Sequence, residues 1–147
     1  MNKQPWQTGD LLYRQVHPNH ISEGSPTSVA FNPTPKDEEK LSVDDARMVT
    51  AEASWNHFTG NLGFQSGGTW AVSVGEVGES GSLELIQDPI VDPDAPSKEN
   101  PAHCVIDFNV PSSNGPPKTK GDRKRLAQRL AIHATNRGCL YTKPAGA

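Results

Sequence analysis

The segment from Ala102 to Val110 is the feature that most restricts how this chain can fold. Apolar side chains occupy every second position of its sequence, AHCVIDFNV, and His103, Asp107 and Asn109 lie among the positions between them. Successive side chains of a β-strand point to opposite faces of a sheet, so this alternation is typical of a strand with one buried face. The segment therefore predicts a sheet whose apolar face must be covered by other elements.

A long helix is predicted near the end of the sequence to provide that cover. Leu126, Leu130 and Ala134 recur at the spacing that places side chains on one helical face. Asp122 is a good N-cap residue, and Gly138 is typical of the position just after a helix. We therefore predict a helix from Asp122 to the residue before Gly138.

A second, shorter helix is predicted to begin near Thr50, a plausible N-cap residue. Ala51, Trp55 and Phe58 are spaced to lie on one helical face, and Gly60 is a natural terminating residue. So short a helix needs the packing of its aromatic side chains to be stable.

Alternating or β-branched runs predict the remaining strands, at residues 10–18, 27–31, 41–43, 69–77 and 82–87, with an edge strand at 139–141. Residues 33–40 form a charged, proline-flanked insert that we expect to be an exposed turn. The order of elements predicts an α+β fold, with a mixed, largely antiparallel sheet of about five to six strands covered by one short and one long helix. We expect a flexible N-terminus at residues 1–9 and a single domain at 10–147.

The composition restricts the class of protein. A chain of 147 residues with 33% hydrophobic side chains is long enough for one domain with a real core. No apolar run approaches the roughly 18 residues of a membrane helix, and the N-terminal sequence MNKQPWQTGD lacks the apolar segment of a secretory signal. Cys104 and Cys139 are the only cysteines, and we expect both to be reduced in a bacterial cytoplasm.

Charge is distributed unevenly along the second half of the sequence. Six basic residues, less one aspartate, give residues 118–129 a net charge of +5. The six basic residues are Lys118, Lys120, Arg123, Lys124, Arg125 and Arg129. Residues 76–99 carry seven acidic residues and one lysine, a net charge of −6, and their proline-rich loop contains Asp88, Asp92 and Asp94. Positive charge at a helix N-terminus opposes the helix dipole, which favours a functional reason for the basic residues.

These charged segments are the predicted binding surfaces. We expect a small accessory protein, of the adaptor or immunity type, that binds a protein partner through the acidic loop and the basic start of the long helix. Surfaces of opposite sign steer a charged partner during association. The prediction includes no cofactor and no membrane association.

A second hypothesis rests on three residues that follow one another along the chain. Arg14 follows Tyr13 on the first predicted strand, Ser28 follows Thr27 on the second, and Glu76 lies on a later strand. Their order resembles the Arg, Ser, Glu order of NAD-using ADP-ribosyltransferase-like enzymes. The resemblance implies that Arg14 and Glu76 contact the nicotinamide nucleotide and that Ser28 supports the pocket. It therefore implies NAD as a cofactor and one cleft that contains all three residues.

A third hypothesis is nucleic-acid binding through the basic residues at 118–129, for which affinity falls steeply as salt is raised. Metal binding is not predicted. His17 and His20 are spaced to chelate zinc, and Asp92 and Asp94 form a D-x-D pair, but further ligands are missing around both.

His103 and Asp107 lie on one face of the best predicted strand. A His–Asp pair in this position can transfer protons, but the sequence around it shows no recognisable nucleophile motif.

Overall fold

The computed structural model describes residues 5–35, 38–110 and 118–143. The predicted α+β fold is confirmed, with a five-stranded sheet, a two-stranded sheet, the predicted long and short helices and one further helical turn in a single domain. The strands are β1 (Leu11–Val16), β2 (Ile21–Ser22), β3 (Ser25–Pro26), β4 (Lys40–Asp45), β5 (Gly68–Ser73), β6 (Glu84–Gln87) and β7 (His103–Asp107). The helices are α1 (Ala51–Asn56), α2 (Val74–Gly78) and α3 (Lys120–Arg137). Lys36 and Asp37 of the predicted charged insert lie outside the described residues.

The main sheet has the order β5-β1-β4-β7-β6, and all neighbouring strands are antiparallel. Six residue pairs join β1 to β5, and five join β4 to β7. Only two pairs join β1 to β4, where Leu12 lies opposite Asp45 and Tyr13 opposite Asp44. The sheet therefore consists of two well-paired halves that meet at a short seam between β1 and β4.

The hydrophobic core lies between one face of this sheet and α3. Alternate side chains of four strands form the sheet side of the core, and these are Leu12, Val16, Leu41, Val43, Val72, Cys104 and Ile106. The helix contributes a stripe of small and branched side chains, Ala127, Leu130, Ala131 and Ala134. Phe108, which follows β7, is completely buried in the same cluster. The alternation in residues 102–110 therefore produces the buried sheet face that was predicted from the sequence.

One charged side chain, Asp45, is completely buried at the end of β4. The Arg47 guanidinium donates to it through Nε, 3.0 Å from Oδ1, and through Nη2, 2.8 Å from Oδ2. A buried carboxylate requires this kind of paired, hydrogen-bonded partner. The Trp6 ring covers Arg47, whose Cζ lies 4.9 Å from the ring centroid.

The predicted flexible N-terminus stays a prediction for residues 1–4, which lie outside the described part of the chain. The residues after them contact the domain. Trp6 packs against the core, and the Thr8 carbonyl accepts a hydrogen bond of 2.9 Å from Gly75 N.

The start of α3 differs from the prediction. The N-cap is Thr119, whose hydroxyl accepts from Asp122 N at 3.1 Å, while the Asp122 carboxylate accepts from Thr119 N at 2.8 Å. Asp122 was predicted as the N-cap, but it is the third helical residue of this reciprocal capping box. The end of the helix is confirmed, because Gly138 follows it with a φ of +93°.

The predicted strand at 69–77 is shorter than expected, because the chain turns into α2 after Ser73. Ser73 Oγ accepts from Glu76 N at 3.1 Å, and the Glu76 carboxylate accepts from Ser73 N at 2.8 Å. Glu76 was predicted on a strand, but this second capping box places it in the first turn of a helix.

The predicted strand at 27–31 is wrong. Residues Ser28–Phe31 form a turn of 3-10 helix that packs against α3, with Ala30 and Phe31 buried in the core. A run of β-branched and aromatic residues can be buried in either conformation, and here contact with the helix decides between them.

The short helix begins as predicted, with Thr50 Oγ1 accepting from Ala53 N at 3.0 Å. It does not end at Gly60, because a wider π-helical turn, His57–Asn61, continues it. At the β5 edge of the sheet, the predicted strand at 139–141 is reduced to one bridge between Thr69 and Tyr141.

Candidate functional site

The face of the sheet opposite α3 carries a cavity of about 180 Å³, which we call the sheet cavity. Its polar floor consists of side chains from β1, β4 and β7, and these include Tyr13, Gln15, Ser42, Asp44 and His103. Its apolar wall comes from the π-turn after α1, from the connector that follows this turn and from the loop between β6 and β7, and consists of Phe58, Leu62, Phe64 and Ile90. Hydrogen-bonding groups and apolar surface therefore converge at one place, as in small-molecule sites.

His103 connects two elements at the edge of the sheet cavity. Its Nε2 lies 3.0 Å from Ser42 Oγ on the neighbouring strand. Its Nδ1 lies 2.8 Å from the backbone carbonyl oxygen of Asp88 and 3.4 Å from that residue's carboxylate. The antiparallel register explains the contact, because Asp44 lies opposite His103 and Ser42 is two residues away on the same face.

These bonds fix the tautomer of the His103 ring. The Asp88 carbonyl can only accept, so Nδ1 carries the hydrogen and Nε2 is left to accept from the Ser42 hydroxyl. A serine, a histidine and an aspartate thus form a continuous chain. Asp107, the partner suggested for His103 by the sequence, instead accepts from Asn109 N at 2.8 Å.

Hydrogen bonds below the floor hold the sheet cavity in shape. The Asp44 carboxylate accepts from Ser54 Oγ at 2.7 Å and from Asn100 Nδ2 at 2.8 Å. The Gln15 side chain donates to Ser54 Oγ at 2.9 Å. Burial raises the pKa of the Tyr13 hydroxyl, so this group is a neutral hydrogen-bonding group at physiological pH.

Arg14 lies at the seam of the sheet, just beyond the two residue pairs that join β1 to β4. Its Nε donates to the Ala30 carbonyl at 2.8 Å, and its Nη1 donates to the Ser42 carbonyl at 3.0 Å. The guanidinium therefore takes the place of missing backbone hydrogen bonds between the strands. Arg14 also borders the sheet cavity, but alternation along β1 places its guanidinium on the side of Leu12 and Val16, toward α3.

The other two residues of the enzyme hypothesis have different surroundings. Ser28 lines a shallow surface depression against α3. The Glu76 carboxylate pairs with Arg137, at 3.0 Å from both Nη1 and Nη2. The structure thus places Arg14, Ser28 and Glu76 at three separate positions and does not bring them into one cleft.

Glu76 belongs to a cluster of charges between α2 and the end of α3. His133 Nδ1 lies 3.4 Å from Glu76, and His133 Nε2 lies 2.8 Å from Glu79. Burial acts to raise the pKa of Glu76, but the hydrogen bonds from Arg137 and Ser73 outweigh it and hold the pKa below its usual value.

Two of the six predicted basic site residues are half-buried and contact other elements of the protein. Lys118 donates to the carbonyls of Ser82 and Val110, and Arg123 lies 3.4 Å from the Glu39 carboxylate. Burial lowers the pKa of the Lys118 ammonium. The remaining four are exposed on α3, and we call them the basic face: Lys120, Lys124, Arg125 and Arg129. Arg125 pairs with Asp122 within the helix.

The acidic loop, residues 88–99, lies on the side of the sheet that carries the cavity. It is fastened there by hydrogen bonds from His57 to the Glu99 carbonyl at 3.0 Å and from Asn61 to the Ser97 carbonyl at 2.7 Å. Asp88 contacts His103, and Asp92 accepts from Ala95 N at 3.1 Å within the loop. Asp94 is exposed to solvent.

Sequence reasoning missed Ser42, Asp44 and Asn100. The alternation of β4 contained part of the signal, because Leu41, Val43 and Asp45 face the core and the residues between them must face the other side. The partners come from distant parts of the chain and depend on the register, which no local pattern specifies.

Comparisons with known proteins supply no function for this chain, so a function has to be inferred from its residues. No protein-family model, curated protein or solved structure matches the chain. Across residues 5–35, 38–110 and 118–143, no helix has the length and apolar character required to cross a bilayer. In the same residues, no group of three or more His, Cys, Asp or Glu side chains is arranged to hold a metal ion.

Proposed function

We propose that this protein binds an acidic protein partner through the basic face of α3. The observation that carries the proposal is the two-sided character of this helix. One side packs into the core through Ala127, Leu130 and Ala134. Arg125 and Arg129 lie on the opposite side, and the two lysines of the basic face are exposed in the first two turns. Desolvating such a concentration of positive charge is favourable only against a partner that supplies anionic groups, and an acidic protein supplies them as carboxylates.

Apolar surface next to the basic face supports a protein partner. Ile132 is 60% exposed and lies one turn after Arg129 on the helix, which places both on the same side. Val29, on the 3-10 turn that packs against α3, is 55% exposed. Protein interfaces combine an apolar centre with a polar, charged rim, and this surface has both parts.

The positions of the two charged segments also support association. The acidic loop is fastened to the cavity side of the sheet, and α3 covers the other side, so the two do not neutralise each other by contact. A molecule with charges of opposite sign on opposite sides is oriented as it approaches a charged partner. The setting we propose is the bacterial cytoplasm, with Cys104 as a buried thiol in the core.

A nucleic-acid partner has less support from the surface. The sequence of α3 contains no Phe, Trp or Tyr on which bases could stack. Nucleic-acid binding is therefore an alternative outcome of the test.

The NAD-using enzyme is the second candidate, and the observation in its favour is that Arg14 is among the residues that border the sheet cavity. Drug-sized ligands occupy cavities of about 300–1,000 Å³, and a dinucleotide is larger than most of them. The sheet cavity, at about 180 Å³, therefore has to open for NAD to enter. Calorimetric titration with NAD tests this candidate directly.

The main experiment is affinity capture from a bacterial lysate at low and moderate salt. The test variant carries Lys124→Glu and Arg129→Glu. The matched control carries Lys98→Glu and Lys143→Glu, which change the net charge equally at exposed positions away from the basic face. We expect the wild type and the control to retain one stoichiometric protein, and the test variant to lose it.

The identity of the captured protein and the strength of binding complete the test. We expect an acidic protein whose affinity, measured by calorimetry, falls about tenfold or more with the two reversals and falls further at higher salt. Equal capture by the test variant and the control would contradict the proposal. If nuclease treatment abolishes the capture, the partner is a nucleic acid and not a protein.

A further inference from the structure

The chain from Asp88 through His103 to Ser42 points to a chemical activity that is separate from partner binding. We propose that Ser42 is a nucleophile, activated by His103, which hydrolyses small carboxylic esters in the sheet cavity. Three contacts carry the inference. They are the 3.0 Å contact of Ser42 Oγ with His103 Nε2 and the two contacts of His103 Nδ1 with Asp88, at 2.8 and 3.4 Å.

The tautomer of His103 is the one that a general base requires. With the Nδ1 hydrogen directed at Asp88, Nε2 presents its lone pair to the Ser42 hydroxyl. The Asp88 carbonyl orients the ring, and the nearby carboxylate stabilises the imidazolium that forms when Nε2 takes a proton. A nucleophile, a base and an orienting group in sequence are the arrangement by which serine hydroxyls are activated.

The exposure of these groups suits the same roles. Ser42 is exposed at the edge of the sheet cavity, so its oxygen is accessible to a substrate. The His103 side chain is only 13% exposed and is held at both nitrogens, so its orientation is fixed. Ser54, the other hydroxyl close to the cavity floor, is buried and donates to Asp44 at 2.7 Å. Ser42 is therefore the hydroxyl of this pair that is placed for attack.

The size and lining of the sheet cavity set the class of substrate. A volume of about 180 Å³ accommodates a small ester with a short acyl chain or a single ring. Phe58, Phe64 and Ile90 supply apolar surface for such a group.

The reaction balances with water as the only second substrate. Ser42 Oγ bonds to the ester carbonyl carbon while its proton passes to His103 Nε2. The bond between that carbon and the alcohol oxygen then breaks, and the departing alcohol takes the proton from Nε2. Water next gives a proton to Nε2 and attacks the acyl-serine, and the released serine oxygen recovers that proton. The products are one carboxylic acid, one alcohol and the original enzyme.

The first test is covalent labelling of the full chain with a fluorophosphonate, which reacts with activated serines and loses fluoride. We expect one adduct, mapped to Ser42 by peptide mass spectrometry. S42A removes it, and H103Q slows labelling by about 100-fold or more, because general-base catalysis typically contributes 10²–10⁴-fold. D88N leaves the orienting backbone carbonyl in place and causes a smaller loss.

Controls separate chemistry from folding. Ser97→Ala changes an exposed serine on the loop beside the cavity, and we expect it to label like the wild type. Circular dichroism and thermal melting establish that S42A and H103Q are folded. An unlabelled Ser42 in the folded wild type overturns the proposal, and so does an equal labelling rate in H103Q.

The second test is hydrolysis of p-nitrophenyl acetate, followed by release of p-nitrophenol. We expect turnover that is lost in S42A and strongly reduced in H103Q, because the serine proton then has no base to accept it. A rate in S42A equal to that of the wild type overturns the proposal. Lys124→Glu/Arg129→Glu should hydrolyse the ester normally, so failure of this activity and failure of partner binding are distinguishable.

Discussion

The two faces of the main sheet are built from the same strands but are held by different forces. The face toward α3 consists of apolar side chains, and Leu12, Val72 and Ile106 are completely buried there. The face toward the sheet cavity is held by hydrogen bonds among polar side chains such as Gln15, Asp44 and Asn100. The stabilisation from packing is roughly proportional to the apolar area that is buried, and many apolar side chains of suitable size can supply it. Hydrogen bonds instead require particular atoms at particular distances.

The difference explains where chemistry is expected in this molecule. Alternation along β4 sends Leu41 and Val43 to one side, and Ser42 and Asp44 to the other. A single strand thus contributes both to the core and to the site. Replacing residues of the core face should change stability, whereas replacing an exposed residue of the cavity face such as Ser42 should change function with little effect on folding.

The largest expected effect comes from the same aromatic truncation on each face. Phe108→Ala should lower the free energy of unfolding by about 3–5 kcal/mol, because it empties a completely buried volume. Phe64→Ala removes a ring that is 58% exposed and whose centroid lies 5.2 Å from that of Phe58. It should lower the free energy of unfolding by about 1 kcal/mol or less. Urea unfolding followed by fluorescence measures both, and equal losses would remove the distinction between the faces.

The next effect tests whether the polar face is held by its hydrogen bonds. Asn100→Ala should cost about 1–3 kcal/mol, because it leaves Ala102 N and one Asp44 oxygen without their present partner. Asn109→Ala, at an exposed position after β7, is the matched control and should change little. The same urea titration applies, and a cost equal to that of the control would show that this network contributes nothing to stability.

The smallest effect concerns pH. The pKa of Glu76 is lowered in the folded state, so its contribution to stability is present above the unfolded value of about 4.3 and is lost as pH falls through the folded value. Glu76→Gln should therefore flatten the decline of the melting temperature on acidification, by the equivalent of about 1 kcal/mol or less for a partly exposed pair. Glu84→Gln, at an exposed carboxyl on β6, is the control and should leave the decline unchanged.

The sequence predicted the elements whose pattern is local. β7 and α3 follow from apolar side chains repeating at intervals of two and of three to four residues, and these patterns do not depend on other segments. The 3-10 turn at Ser28–Phe31 could not be predicted in this way, because its conformation depends on contact with a helix about a hundred residues later. Secondary structure that is determined by tertiary contact leaves no periodic signal.

The candidate site was less predictable than the fold for the same reason. His103 was recognised as a polar residue on a strand, but its partners Ser42 and Asp88 are 61 and 15 residues away and meet it only through the strand register. One signal was overlooked, since Ser73 and Glu76 have the spacing of a capping box and mark a helix start. That spacing was sufficient to place Glu76 on a helix from the sequence.

The seam between β1 and β4 has a consequence for how binding and folding are linked. Two residue pairs and the Arg14 guanidinium connect the halves of the sheet, and the sheet cavity lies across that junction, with walls from both halves. A molecule held there bridges the short junction between the two halves of the sheet. A ligand that binds only the folded protein therefore also stabilises it, by an amount that rises with the logarithm of its concentration relative to Kd.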